Sequence, residues 1–309
     1  MKIHQGIKNF QCSKPVTLTS GTFDGVHLGH RKMLHNLITE AKEADHESVL
    51  LTFYPHPRMV LHPHDHGLKL LTSPEEKFEI LETMGLDHVI VQPFDEEFSS
   101  ISAYNYVRDV LVNQLGVKKI ISGYDHRFGK NREGNFDTLV ELGQLFNFEV
   151  LQISAKEMEE VKISSTKIRN ALFDGDVEMA ERYLGRNYQL RGRVIEGKKL
   201  GSKLGFPTAN LQLIYPHKLV PKNGVYAVYA TIKGEKIHGM LNIGTRPTVI
   251  EDGEVSIEVH LIGWKDDVYD EVVDIQFIKR LRDEKRFEGK SQLIEQLNID
   301  LQNTLAVLN

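Results

Sequence analysis

The chain is nearly without cysteine: Cys12 is its only one. A disulfide framework is excluded, and a cysteine-based zinc site is not expected, as suits a reducing cytoplasm. No apolar run approaches the length that crosses a bilayer. The opening residues, MKIHQGIKNF, lack the apolar stretch of a signal peptide. Positive charge is not in excess. The formal net charge is -5, so nothing marks the whole chain for nucleic acid or acidic membranes. No internal repeat is visible. The one biased tract, 62-HPHDHG-67, carries metal-ligand residue types but reads better as a solvated loop.

What the chain has is length and rhythm. Its 309 residues exceed one typical domain and suit two, each able to bury a core. In the first half, β-rich runs at 15–20, 48–53, 87–92, 118–122 and 148–153 alternate with helical patterns. Leu34, Leu37, Ile38 and Ala41 mark one apolar helix face. Ser73-Pro74-Glu75-Glu76 reads as an N-cap, a proline at the first helical position and an acidic first turn. This alternation predicts an α/β domain with a parallel sheet covered by helices. Ligands in such folds bind beyond the carboxyl ends of the strands. Near residue 186 the pattern turns to short strands, at 190–196, 224–232, 235–241, 255–262 and 271–279, punctuated by glycine. These predict a small antiparallel barrel or sandwich. A last helix follows Gly289, with Leu293, Leu297, Leu301 and Leu305 on one stripe. The expected domains are 1–185 and 186–309.

The stretch 19-TSGTFDGVHLGHRKML-34 joins a strand pattern to a helix pattern. Gly21, Gly25 and Gly29 permit a sharp turn and close approach of a ligand. The helix start offers amides and a positive dipole end to an anion. His27 and His30 are i, i+3 neighbours if the helix has begun, so both can face one ligand. Imidazoles donating to phosphate oxygens would stabilise the charge that develops in phosphoryl or nucleotidyl transfer. A metal site wants a third ligand, and none lies nearby. A nucleophile elbow, Gly-x-Ser-x-Gly, is absent. A capped turn with two surface histidines accounts for the spacing as well. Farther on, Ser164, Ser165 and Thr166 are natural caps, and with Lys167 and Arg169 they make a candidate anion clamp.

In the second half the informative stretch is 192-GRVIEGKKLGSKLGFPTANL-211. Gly192, Gly197 and Lys198 approach a P-loop, but Lys199 stands where Ser or Thr should bind magnesium, and the flanks read as β-structure. A P-loop is therefore rejected. Thr208 and Asn210, one residue apart, project to the same side of an extended chain. Their hydroxyl and amide oxygens suit a Mg2+ that keeps waters and substrate phosphates. Gly201 and Gly205 would let backbone amides meet phosphate. A structural turn is the plainer account of this segment. Alternation puts Val255, Ile257 and Val259 on one strand face and Glu258 and His260 on the other, where a solvated carboxylate is expected.

The order His-x-Gly-His after a first strand resembles the signature of the nucleotidyltransferase superfamily, which includes the class I aminoacyl-tRNA synthetases. The longer string Gly21-Thr22-Phe23-Asp24-Gly25-Val26-His27-Leu28-Gly29-His30 resembles the adenylylating half of the bacterial bifunctional riboflavin kinase/FMN adenylyltransferase (FAD synthetase) family. Pro55-His56-Pro57 is similar to that family's Pro-His-Pro segment beside the nucleotide. The stretch 123-GYDHRFGKNREGN-135 is similar to its nucleotide- and flavin-holding loop, with His126 where the family often has Phe. The stretch 163-ISSTKIRNAL-172 resembles its Ser-Ser-Thr-x-Ile-Arg segment. In the second half, Gly205-Phe206-Pro207-Thr208-Ala209-Asn210 resembles the riboflavin kinase motif. Pro221, Gly224, Val225 and Tyr226, then Asn242 to Thr248, then Leu281-Arg282 with Phe287 follow in the family's order. Gly201-Ser202 departs from its usual Gly-Arg.

The resemblance implies a Rossmann-like nucleotidyltransferase domain with a parallel sheet, followed by an antiparallel β-barrel with a terminal helix. It implies that the barrel phosphorylates riboflavin with ATP and that the first domain adenylates FMN to FAD, with Mg2+ in both steps. In the first domain it points to His27 and His30 as catalytic and to Gly21, Phe23, Asp24, His56, Asp125, Ser164, Thr166 and Arg169 on ATP. In the barrel it makes Glu258 the catalytic base. There it points to Gly197, Gly201, Gly205, Pro207, Thr208, Asn210, Tyr226 and Arg282 on ATP or flavin, with Thr208 and Asn210 on the metal. Partners are small molecules, with no nucleic acid and no membrane. Two rivals remain. An enzyme adenylating a phosphopantetheine or nicotinamide nucleotide would share the first domain but have no need of the barrel. A non-catalytic flavin-binding regulator would not need His27, His30 and Glu258 together.

Overall fold

The computed structural model describes residues 1–62, 67–123, 126–153, 163–197, 201–245 and 255–309. Contacts divide it into two compact units, Met1–Ser164 and Ser165–Asn309.

The first unit is a six-stranded sheet in the order β1-β4-β3-β2-β5-β6, with every neighbouring pair parallel. The strands are β1 (Lys2–Gln5), β2 (Val16–Ser20), β3 (Glu47–Tyr54), β4 (His88–Pro93), β5 (Val117–Gly123) and β6 (Glu149–Ile153). Five of these match the runs read from sequence. The four-residue edge strand β1 was not legible, because it is too short and too polar to show a period. β2 and β3 are apolar or Thr-rich along nearly their whole length, as strands covered on both faces must be. Leu50 packs on one face of the sheet and Val49 and Leu51 on the other. Helix α1 (Leu28–Glu43) presents Leu34, Leu37 and Ala41 to the first face, with Ile38 partly buried beside them.

Four shorter helices follow: α2 (Pro57–Leu61), α3 (Pro74–Glu82), α4 (Glu96–Ser99) and α5 (Ala103–Asn105). α5 runs into π-helical turns over Tyr106–Gln114, and α6 (Phe136–Phe146) comes after β5. The π-helical segment and α6 cover the second face. Ser73 caps α3 reciprocally with Glu76, with Pro74 in the first turn, as its sequence indicates. Setting β1 aside, the order 4-3-2-5-6 reverses direction at the β2/β5 junction. That is the topological switch point at which such sheets bind ligands.

The second unit starts with α7 (Ser165–Asp174) and α8 (Val177–Leu184). A closed antiparallel barrel follows, ordered β10-β11-β8-β7-β12-β9. Its strands are β7 (Gln189–Ile195), β8 (Ala209–Leu213), β9 (Gly224–Ile232), β10 (Glu235–Thr245), β11 (Val255–Leu261) and β12 (Val272–Arg282). The sequence left barrel and sandwich open; closure decides for the barrel. β8 was missed because it is short and follows directly on the Gly- and Pro-containing motif. The final helix α9 (Lys290–Leu308) packs across β9, β10 and β12. Its most buried positions are Asp300, Thr304 and Leu308, next to the leucine stripe rather than on it.

The division between units falls before α7, where the sequence reading placed the boundary after residue 185. The physical reason is packing. α7 and α8 contact each other and α8 rests on β12. Leu172 accepts a backbone bond from Lys222 at 2.9 Å.

Candidate active sites

In the first unit, the chain leaves β2 at the switch point and turns sharply into α1. Phe23, Gly25 and Val26 all have positive φ, at 47°, 84° and 37°. For a β-branched residue such as Val26 this is a costly conformation, on the order of 1–3 kcal/mol, and such strain gathers at functional turns. Gly21 has little spare room, since a Cβ there would lie 3.1 Å from the Phe23 ring. Asp24 is buried. Its carboxylate accepts from the Leu71 and Thr72 amides at 2.9 and 3.3 Å, so it anchors the loop ahead of α3. Phe23 is buried too and lies beside His30, ring centroids 4.7 Å apart.

The turn delivers His27 as the N-cap of α1, its Nδ1 accepting from the His30 amide at 3.2 Å. A neutral imidazole that accepts at Nδ1 carries its proton on Nε2. The His30 ring stacks on His27 at 3.6 Å, 15° from parallel. Burial holds the His30 pKa well below the ordinary imidazole range, with His27 and Lys77 adding to the effect. Its Nδ1 is buried with no partner among the described residues. Lys77, whose ammonium donates to the Thr22 carbonyl at 2.9 Å, is pushed down to about 8 by burial, against the pull of Asp24. At the end of neighbouring β3, His56 repeats the device. It caps α2, its Nδ1 accepting from the Arg58 amide at 3.2 Å. Neutral imidazoles with directed N–H groups, at the start of a sixteen-residue helix, suit an anionic ligand. Among the described residues, the His27/His30 pair belongs to no three-ligand cluster.

Asp125 lies outside the described residues. Ser164 ends the first unit, and Thr166 and Arg169 belong to α7 of the second.

The barrel unit holds a cavity of about 290 Å³ bordered by the segment ahead of β8, the start of β9, β10, β11, the end of β12 and α9. Glu258 lines it together with Gly201, Thr208 and Arg282 from the sequence candidates. Glu258 on β11 pairs with Asn210 on β8 and Asn242 on β10. The Thr208 hydroxyl donates to the Glu258 carboxylate at 3.3 Å. Thr208 and Asn210 carry oxygen donor types that a hard cation takes, but Asn210, on β8, is not among the residues that line the cavity. Two glycines are required by contact. A Cβ on Gly197 would sit 2.0 Å from Asn210 Nδ2, and one on Gly201 would sit 2.2 Å from the Phe206 carbonyl. Gly197→Ala is therefore expected to displace Asn210 and lower kinase kcat/KM at least about tenfold, with FMN adenylylation unchanged; steady-state assays of each half-reaction check this.

Gly205 turns the chain at φ 83°. The Pro207 carbonyl is within hydrogen-bond reach of His260 Nδ1, at 2.8 Å. Tyr226 does not reach the cavity. It is fully buried against Phe277, ring centroids 5.2 Å apart, and its hydroxyl donates to the Lys222 carbonyl.

Sequence reasoning missed Asp300. Its carboxylate is 1% exposed and takes the Arg282 fork at 2.7–3.0 Å, with Gln296 donating at 2.9 Å. An acid beside an otherwise apolar helix stripe was the available signal.

The FAD synthetase family pattern matches residues 9–167, and the riboflavin kinase pattern matches residues 184–308. A bifunctional riboflavin kinase/FMN adenylyltransferase of Buchnera aphidicola is 38% identical over 98% of this chain and 97% of its own. The Escherichia coli K12 protein of that name is 37% identical over 97% and 96%, and that of Bacillus subtilis 36% over 98% and 95%.

The chain belongs to the bifunctional riboflavin kinase/FMN adenylyltransferase family.

Both halves of the family architecture are thus present and in order. A solved structure of a macrolide-efflux protein from Streptococcus pneumoniae superposes with a TM-score of 0.88, at 28% identity over 98% of each chain. Among the described residues here, no helix is long and apolar enough to cross a membrane.

Proposed function

We infer that this bifunctional riboflavin kinase/FMN adenylyltransferase divides its two reactions between its two units. The barrel makes FMN from riboflavin and ATP. The α/β unit joins FMN to the adenylyl group of a second ATP, giving FAD and pyrophosphate. The observation that carries the assignment is Glu258, held in the barrel cavity with the Thr208 hydroxyl on its carboxylate.

In the kinase step the ribityl 5′-hydroxyl oxygen attacks the γ-phosphorus, its proton passes to Glu258, and ADP leaves. Arg282, fixed by Asp300, offers its remaining N–H groups to substrate. Thr208 and Asn210 have the donor types to hold Mg2+, which when bound would offset charge on the phosphates. In the adenylyl step an FMN phosphate oxygen attacks the α-phosphorus and pyrophosphate leaves. The acceptor is already an anion, so no base or covalent intermediate is required. His27 and His30 donate to the phosphates, and the α1 amides add to the field. Arg169 and Ser164 are assigned to the same ATP on the resemblance alone. A cytoplasmic location belongs to this reading, supported by the single cysteine.

Incubation with riboflavin, ATP and Mg2+, followed by chromatography of the flavins, tests it. FMN and then FAD are expected in sequence. Folded protein that yields neither would overturn it.

A further inference from the structure

At the end of the sheet opposite the histidine turn, four side chains that the flavin chemistry does not use converge. His4 stands on β1, Glu47 opens β3, His88 opens β4, and Cys12 lies in the segment before β2. His88 is buried. Its Nδ1 is 2.9 Å from His4 Nε2, and its Nε2 is 2.6 Å from a Glu47 carboxylate oxygen. The Cys12 sulfur, the Glu47 oxygen and the His88 nitrogen all lie within 4.8 Å of one another. Tetrahedral ligands at zinc bond lengths stand roughly 3.3–3.8 Å apart, so small side-chain movements suffice.

Hydrogen-bond accounting makes this more than proximity. The far end of the chain is the Asn9 carbonyl, 3.3 Å from His4 Nδ1. A carbonyl can only accept, so His4 carries its proton on Nδ1 and presents a bare Nε2. His88 must then donate from Nδ1, which leaves its own Nε2 as a lone pair. That lone pair faces an acceptor-only carboxylate at 2.6 Å. At that distance the two atoms share a proton, and a metal ion would displace it and spread them to ligand spacing. The Cys12 thiol meanwhile donates to the Lys14 carbonyl at 3.2 Å. A metal ion would replace both hydrogen bonds and draw the three ligand atoms, now within 4.8 Å of one another, onto one centre.

We propose that Cys12, Glu47 and His88 form a binding site for a borderline-soft divalent cation such as Zn2+, with His4 as a positioning residue. Thiolate, imidazole and carboxylate are the ligand types that zinc takes, and hard Mg2+ does not compete for thiolate. The two anions neutralise the ion, which a half-buried site favours. On binding, the Cys12 S–H bond breaks and the proton shared by His88 and Glu47 departs; both protons pass to solvent as the bonds from sulfur, nitrogen and oxygen to the metal form. A water completes the fourth position. The ion ties the segment ahead of β2 to the starts of β3 and β4. Counting cysteines excluded a cysteine-rich site, and a site with one thiolate among mixed ligands escapes that count.

Metal alone is the probe. Metal-stripped protein titrated with Co2+ in excess Mg2+ should develop a thiolate-to-cobalt charge-transfer band that saturates at one equivalent and is displaced by Zn2+. Cys12→Ala should lack the band while still adenylylating FMN, and His4→Ala should keep it with affinity about tenfold weaker or more. Cys12 is the only thiol, so a second measurement needs no variant: one equivalent of Zn2+ should slow its alkylation at least tenfold. Absence of the band, a band that survives in Cys12→Ala, or an alkylation rate indifferent to Zn2+ would each overturn the site. Unchanged affinity in His4→Ala would remove the positioning role. None of these results bears on the flavin activities.

Discussion

Glu258→Ala is expected to abolish FMN formation from riboflavin while supplied FMN is still converted to FAD. General base catalysis contributes about 10²–10⁴-fold, so the kinase kcat should fall by that order with a smaller change in KM. The adenylylation rate should stay within about twofold, because Glu258 lies in the barrel unit's cavity. The fold should survive, since the side chain sits on the cavity side of β11 while Ile257 and Val259 supply the buried face. Glu258→Gln separates proton transfer from shape. It keeps the partner of Thr208 but cannot take a proton, so it should fail nearly as badly. Loss of both activities in a folded variant would overturn the division of labour.

The second large effect is the converse. His27→Ala/His30→Ala should let FMN accumulate, with adenylylation down on the order of 10²–10³-fold or more, the cost of removing preorganised donors to developing charge. The kinase reaction should persist. The same pair predicts a pH dependence of stability. The folded state holds His30 well below its ordinary value of 6.5. Below that pH the unfolded chain binds a proton that the folded chain refuses, so stability from this group is complete above about pH 6.5 and is lost as the pH falls. Denaturant titrations of the wild type should show this fall between neutral and acid pH, and His30→Ala should flatten it. A fall of equal slope in the variant would assign the effect elsewhere.

Much of the first unit was legible because its signals are local. Five parallel strands announced themselves as apolar runs, and the Ser73–Glu76 cap and the apolar stripe of α1 follow from spacing alone. The turn over Gly21–His30 was legible as a glycine-rich strand–helix junction. That His27 itself caps the helix, and that Phe23 and Val26 share the left-handed turn with Gly25, was not. Both depend on backbone angles that glycine counting leaves open. In the second unit the spacing of Thr208 and Asn210 was legible, but β8 itself was not, and α7 and α8 join the barrel's compact unit because they pack on each other and on β12. Tyr226 matched a motif, yet barrel closure turned it inward.

The sequence by itself determined that there are two domains, that one is a parallel α/β sheet with a glycine-rich strand–helix turn, and that the motifs of a flavin kinase follow. The first two rest on periodicity and near-neighbour spacing, which the chain carries wherever it folds; the third rests on the resemblance of its motifs to a known family. Tertiary structure decided what lies opposite each polar side chain. Alternation put Glu258 off the apolar face of its strand, and only the arrival of α9 and of the Gly201–Thr208 segment made that side a cavity instead of solvent. Asp300 became a buried clamp because Arg282 met it. Cys12, Glu47 and His88 became neighbours because parallel strands far apart in the chain begin at the same edge.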